Sequence, residues 1–238
     1  MSFLGAQQLD EDIGTWAQIL EDDQQSPGVK LDTINLDLAN LQSEFQSCDS
    51  PKHEIQDLEL LSKALVINDR LQKWEESLPS SWIPIVVSGP SCIAPSIAAA
   101  GLYQPHCTVH RSVFVASIWN RYRVSRIRVL TIIRAYLHTE TIHHEQSQQL
   151  IDDICATVPF HLGNRMETGV MGDKRVLYPT VRGERMMDEH YTIASAKGGI
   201  NLLGPLTFLM ERMDLRQGQR EWIGAQIGRI FKLYRLGI

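Results

Sequence analysis

Long apolar runs are missing from this chain. None of its 238 residues fall in a stretch approaching the ~18 apolar residues that a membrane-spanning helix needs, so no such span is expected. The opening segment, MSFLGAQQLDEDIGTW, has no basic stretch ahead of an apolar one, and a secretory leader is not expected either. Cysteine is scarce and scattered. Cys48, Cys92, Cys107 and Cys155 form no C-x-x-C pair, which argues for a reducing compartment and against both a disulfide framework and a cysteine-rich zinc site. The glycines do not fall into a G-x-x-x-x-G-K-[ST] loop or a strand-following G-x-G-x-x-G, and no serine sits in a G-x-S-x-G elbow. Tyr191 and Lys197 are too far apart for the Tyr–Lys pair of a short-chain dehydrogenase. Phosphate-loop, serine-hydrolase and dehydrogenase chemistries are set aside on these grounds, and no enzyme and no cofactor is predicted.

What remains is an ordinary globular composition, 43% hydrophobic and 21% charged, with an uneven charge distribution. Residues 1–110 carry 16 acids against 5 bases, and residues 111–238 carry 18 bases against 12 acids. A basic half can serve nucleic acid, but these bases are dispersed along helical segments without interleaved aromatics, so mutual neutralisation in the folded chain is the expected reading.

Apolar residues recur at steps of three and four. Leu31, Ile34, Leu38, Leu41 and Phe45 predict a helix over 31–45. A second runs from Ile55 through Trp74 and Leu78 to Pro79, a third covers 111–138, and a shorter one covers 145–157 and closes at Pro159. Ile200–Met210 reads as a buried helix kinked or started at Pro205, and 219–234 as a last amphipathic helix. Between them, Pro79–His110 is too proline-rich for a regular element, although Ile85-Val86-Val87 can pair briefly as a strand, and Phe160–Glu189 reads as a second long loop. The expected fold is all-α, an irregular multi-helix arrangement with two long loops.

Metal ligation is tested by counting donors. His106, Cys107 and His110 make an H-C-x-x-H, and His143-His144 lie near Glu140, yet neither group has a partner pair at zinc-site spacing. Asp22-Asp23 and Asp152-Asp153 suggest a carboxylate–metal site, but neighbours on a helix diverge by about 100° and no third acid follows at the right distance. Solvated carboxylates are expected. On 119–130, Arg121, Arg128 and the nearby Arg134 are candidates for phosphate contact, whereas Arg123 and Arg126 lie toward the aromatic face, placed to pair buried acids or stack on Trp119 or Tyr122.

Five blocks stand in order along the chain: LLSKALVINDRLQKWEESLPSSW (Leu60–Trp82), VASIWNRYRVSRIRVL (Val115–Leu130), DDICATVPFHLG (Asp152–Gly163), GGINLLGPLTFLM (Gly198–Met210), and QREWIGAQIGRI with the terminal Gly237-Ile238. Together they resemble fungal-specific transcription factors of the zinc binuclear cluster (Zn2Cys6) type. The resemblance implies an all-α regulatory domain, C-terminal in that family to the DNA-binding cluster, that modulates activation or responds to effectors. It divides this chain into an acidic helical segment, 1–50, and a domain over 51–238 that is half of the larger family domain. The residues carrying it are Trp74, Pro79, Trp82, Trp119, Asn120, Tyr122, Arg123, Arg126, Pro159, Phe160, His161, Gly163, Gly198, Gly199, Pro205 and Trp222, for which structural roles are expected, with His161 and Arg123 as polar candidates near a cavity.

One departure from the family matters. Its cluster needs six closely spaced cysteines, and these residues supply four that are dispersed, so cluster-mediated DNA binding is not expected of them. The implied role is transcriptional regulation in the nucleus through protein or effector contacts, including homo- or hetero-dimers with related factors, although no basic cluster forms a nuclear address. The alternatives are a small-molecule-binding all-α module associated with secondary metabolism, a metal-dependent all-α enzyme, and a non-functional gene fragment.

Overall fold

The computed structural model describes residues 26–47, 54–137 and 140–236. They cluster into two compact units that divide between Leu78 and Pro79.

The first unit is a helical hairpin of α1 (Pro27–Ser47) and α2 (Glu54–Glu76). Pro27 opens α1 with its φ already set for a helix, and the Ser26 hydroxyl accepts from the Val29 N–H at 3.4 Å. Leu31, Ile34, Leu38 and Leu41 are buried on α1, and Leu60, Ala64, Ile67, Leu71 and Trp74 on α2. The same three-and-four spacing that predicted the helices therefore makes their shared seam. The antiparallel register is fixed at three levels: the Trp74 indole donates to the Pro27 carbonyl at 2.7 Å, Arg70 meets Asp37 at 2.5 Å, and Lys63 meets Glu44 at 2.8 Å. Both ion pairs are exposed and add little energy, so apolar burial holds the pair together.

The second unit is built on α4 (Val113–Leu137) and α5 (Glu140–Leu162), packed together and covered by α7 (Gly199–Met210) and α8 (Gln219–Tyr234). Val124 and Ile127 of α4, Ile151, Ile154 and Val158 of α5, Leu202, Leu206 and Leu209 of α7, and Ile223 and Ile230 of α8 form one helical core. A second core lies on the far side of the α5 C-terminus. There Phe160 packs with Val87, Cys107, Val109, Val113, Val176, Tyr178 and Tyr191. Several of these come from the segment predicted as an irregular proline-rich loop. It contains a 3-10 turn (Ser80–Trp82), β1 (Ile85–Ser88), the one-turn helix α3 (Pro95–Ala99) and β2 (His106–Val109). The brief strand pairing allowed at 85–87 is realised as an antiparallel ribbon with Ile85 opposite Val109 and Ser88 opposite His106. The architecture is mainly α, with two strands among the described residues.

Pro159 does not close α5, which corrects the expected boundary. The helix runs on to Leu162 and ends at Gly163, whose φ of +57° is a left-handed stop that glycine adopts freely. A proline inside a helix, which removes one hydrogen bond and crowds the preceding turn, costs about 3 kcal/mol. Complete burial of Phe160 and Leu162 immediately after it offsets that loss. Pro205 likewise lies inside α7. Among the described residues, no helix is long and apolar enough to cross a membrane.

Candidate functional site

The motif residues fall into separate places. Trp74 belongs to the hairpin unit, where its indole holds the start of α1. Pro79 leads into the 3-10 turn, and the carbonyl of Trp82 at its end accepts from the Trp119 indole at 2.8 Å. Asn120 and Thr157 join α4 to α5 by a buried hydrogen bond of 3.0 Å, and Arg123 donates to the Asn120 side-chain oxygen at 2.9 Å. Both arginines on the aromatic face stack as expected, Arg123 over Trp119 at 5.5 Å and Arg126 over Tyr122 at 5.8 Å. Arg128 lies over Phe208, and Arg134 pairs with Asp214 at 3.0 Å. Trp222 packs on Tyr103 in the helical core region.

Around the double glycine the backbones come very close. A side chain on Gly198 would bring its Cβ to 2.4 Å from the His161 carbonyl, and one on Gly199 would meet the Tyr234 ring at 2.3 Å. The short helix α6 (Asp188–Ile193) joins α7 through a π-helical turn, Ala194–Gly198, pinned by Tyr234. The Tyr234 hydroxyl donates to the Ala194 carbonyl at 2.6 Å while accepting from the Gly199 N–H and from Arg165, each at 2.8 Å. Arg229, also unremarked in sequence, donates to the backbone carbonyls of Ala100 at 2.9 Å and of Gly163 and Arg165, each at 2.7 Å. Burial lowers its pKa to about 10, so it stays cationic at neutral pH.

The metal candidates do not converge. No group of three or more His, Cys, Asp or Glu side chains able to hold a metal ion exists among the described residues. Asp22-Asp23 lie outside the described residues. His143 hydrogen-bonds Gln146, and His144 is 3.9 Å from Asp214. Asp152 corrects the expectation of a solvated carboxylate. It is buried, accepts from Gln148 at 2.9 Å and Gln219 at 3.0 Å, and pairs with Arg216 at 2.7 Å.

The most site-like feature is a cavity of about 290 Å³ between the 3-10 turn, the ribbon and the second loop. Ile83, Ile85, Val109, Val181, Met186 and Met187 give it apolar walls, and Phe160, His110 and His190 form its aromatic side. His110 and His190 flank Phe160 with ring centroids 5.8 and 4.6 Å away. Both are buried, at 5% and 7% exposure, and so is His161. Desolvation is the main reason all three imidazoles are held neutral: His110 is well below its usual value, His161 is at about 3 and His190 at about 4. Neither ring nitrogen of His110, nor Nε2 of His190, has a hydrogen-bond partner among the described residues. The loop wall is fixed by the Thr180 N–H donating to Cys92 and by the Cys92 thiol donating to Val181. A larger cleft of about 530 Å³ beside Asn164 and Arg165 is less suited to binding. Its Asp173 is engaged by Arg175, and its Arg165 by backbone carbonyls.

Sequence reasoning named His110 only as a metal candidate and did not single out His190. The two lie eighty residues apart, and no local pattern links them. The sequence signal was a histidine just after the alternating HCTV segment.

Compared with known proteins, the chain matches no family model and no solved structure. It is similar to the transcription factor dbaG of Emericella nidulans, 24% identical over 222 residues that take in 84% of this chain and 50% of that protein. The chain thus spans about half the length of the curated relative it matches.

Proposed function

We propose that the chain acts in transcriptional regulation as a helical regulatory module of the fungal Zn2Cys6 type, working in the nucleus through contacts with proteins or a small effector. The observation that carries this reading is the similarity to a fungal transcription factor along most of the chain. The mainly α architecture is compatible with it, and so is the way the ordered blocks around Trp119, Pro159 and Gly198 meet in one compact unit. With four dispersed cysteines, these residues do not provide a binuclear cluster, so the proposed mode of action is association, including pairing with related factors, in place of direct DNA reading.

A tethering experiment tests the proposal. The chain is fused to a heterologous DNA-binding domain and expressed in a filamentous fungus with a matched reporter. A change in reporter transcription of at least threefold over the DNA-binding domain alone is expected, with the fluorescently tagged chain concentrated in the nucleus. An inert fusion that is stably expressed would overturn it.

A further inference from the structure

We propose that the cavity beside Phe160 is a binding site for a small neutral molecule with an apolar body and at least one hydroxyl group, received by His110 and His190. The inference deepens the effector part of the regulatory reading and rests on that reading only for its biological meaning.

Size comes first. A volume of about 290 Å³ lies at the low end of ligand cavities and suits a compact ring system. Wall chemistry comes next. The aliphatic residues, the thioethers of Met186 and Met187 and the Phe160 ring favour an apolar body, and sulfur–aromatic contact favours a ring.

Charge then narrows the class. Among the described residues, Arg111 is the only Lys or Arg lining the cavity, and it leans toward the Ser81 hydroxyl at 3.5 Å. The Glu184 carboxylate is occupied by the N–H groups of Val181 and Arg182, at 3.3 and 2.6 Å. A carboxylate or phosphate would enter without a dedicated buried cation, and an ammonium without a free carboxylate.

The orphaned nitrogens specify the polar group. A neutral imidazole has one N–H and one lone pair, and Nε2 of His190 has no partner among the described residues. His110 offers one donor and one acceptor, both unmet among the described residues. A hydroxyl both donates and accepts, and so can satisfy either ring in either tautomer, whereas an ether or ketone only accepts. The nitrogens are shielded from bulk water, so the hydroxyl reaches them as Met186 and Met187 repack, a motion that flexible thioethers allow at low cost.

Resorcinol is the probe, titrated into the purified chain at pH 7 and followed by long-range 15N NMR of the imidazole nitrogens. Saturable shifts at His110 and His190 are expected. Affinity should be at least tenfold above that for m-xylene, which has the same outline without hydroxyls, and above that for benzoate. Met187→Trp fills the cavity mouth from an exposed position and should weaken binding at least fivefold with the thermal midpoint unchanged. No saturable shift up to the solubility limit of resorcinol, equal affinity for m-xylene or benzoate, or full affinity in Met187→Trp would each overturn the proposal. The outcome is independent of the tethering experiment. An active fusion with no resorcinol binding removes only the ligand site, and binding with an inert fusion removes only the regulatory reading.

Discussion

Three imidazoles, those of His110, His161 and His190, are closed off from water around one phenylalanine, and protonating any of them in place is costly. Arg123 faces His110 and His161, Arg165 faces His190, and the histidines disfavour each other's charge. The folded-state values are depressed below the ordinary 6.5, so the unfolded chain binds more protons in mildly acid solution. Their contribution is therefore complete above about pH 6.5 and drains as pH falls toward the folded values of about 4 and about 3. At pH 5, His161 and His190 should each have lost about 2 kcal/mol of stability, at 1.36 kcal/mol per pH unit. Urea unfolding at pH 7 and pH 5 measures this, and His190→Phe should remove about one proton from the pH slope. A second prediction concerns glycine. Gly198→Ala forces a methyl onto the His161 carbonyl and should cost about 1–3 kcal/mol. Gly228→Ala, on the exposed side of α8, meets nothing within 4 Å and should stabilise by about 0.5–1 kcal/mol. Paired thermal melts separate the two outcomes.

Among elements, the regular helices were legible and their ends were not. Leu31 to Leu41 and Leu60 to Trp74 announce α1 and α2 because a two-helix seam needs little more than that spacing. Pro159 misled because a local rule about proline competes with burial of Phe160 and Leu162, which depends on segments far away in sequence. The ribbon was only half visible, since Cys107 and Val109 alternate with His106 and Thr108 over just four residues, and Thr108 is buried as well. The two loops have a shared fastener in Arg229, whose guanidinium ties Ala100 in one to Gly163 and Arg165 at the start of the other. Arg229→Met keeps most of the apolar bulk and leaves three carbonyls short of a donor. It should cost about 3–5 kcal/mol and expose residues 163–187 to limited proteolysis, with denaturant curves and digestion rates as the measurements.

For the molecule as a whole, residue spacing conveyed the fold class, but the cavity could not be read because its aromatic side is assembled from the residue after β2 and from α5 and α6 only after folding. Several bases of residues 111–238 are engaged within that segment, Arg216 by Asp152, Arg134 by Asp214 and Arg229 by backbone carbonyls. A gel shift at ~0.15 M salt should accordingly show no sequence-specific retention of DNA by the purified chain; tight, competitor-resistant retention would contradict the association mode. The turn at Ala194–Gly198 has a consequence of another kind. A π-helical turn accommodates one residue more than an α-helix would, so the stretch from Asp188 to Met210 holds its two halves in different angular phase. Inserting one alanine after Lys197 adds a residue that the turn does not absorb and should swing Leu202, Leu206 and Leu209 by about 100° away from their partners, seen as loss of the near-ultraviolet circular dichroism of the fold, whereas deleting Lys197 should close the segment into an uninterrupted spiral with those leucines still facing the core. A lineage carrying this domain can shed the surplus codon at this joint, but it cannot gain another.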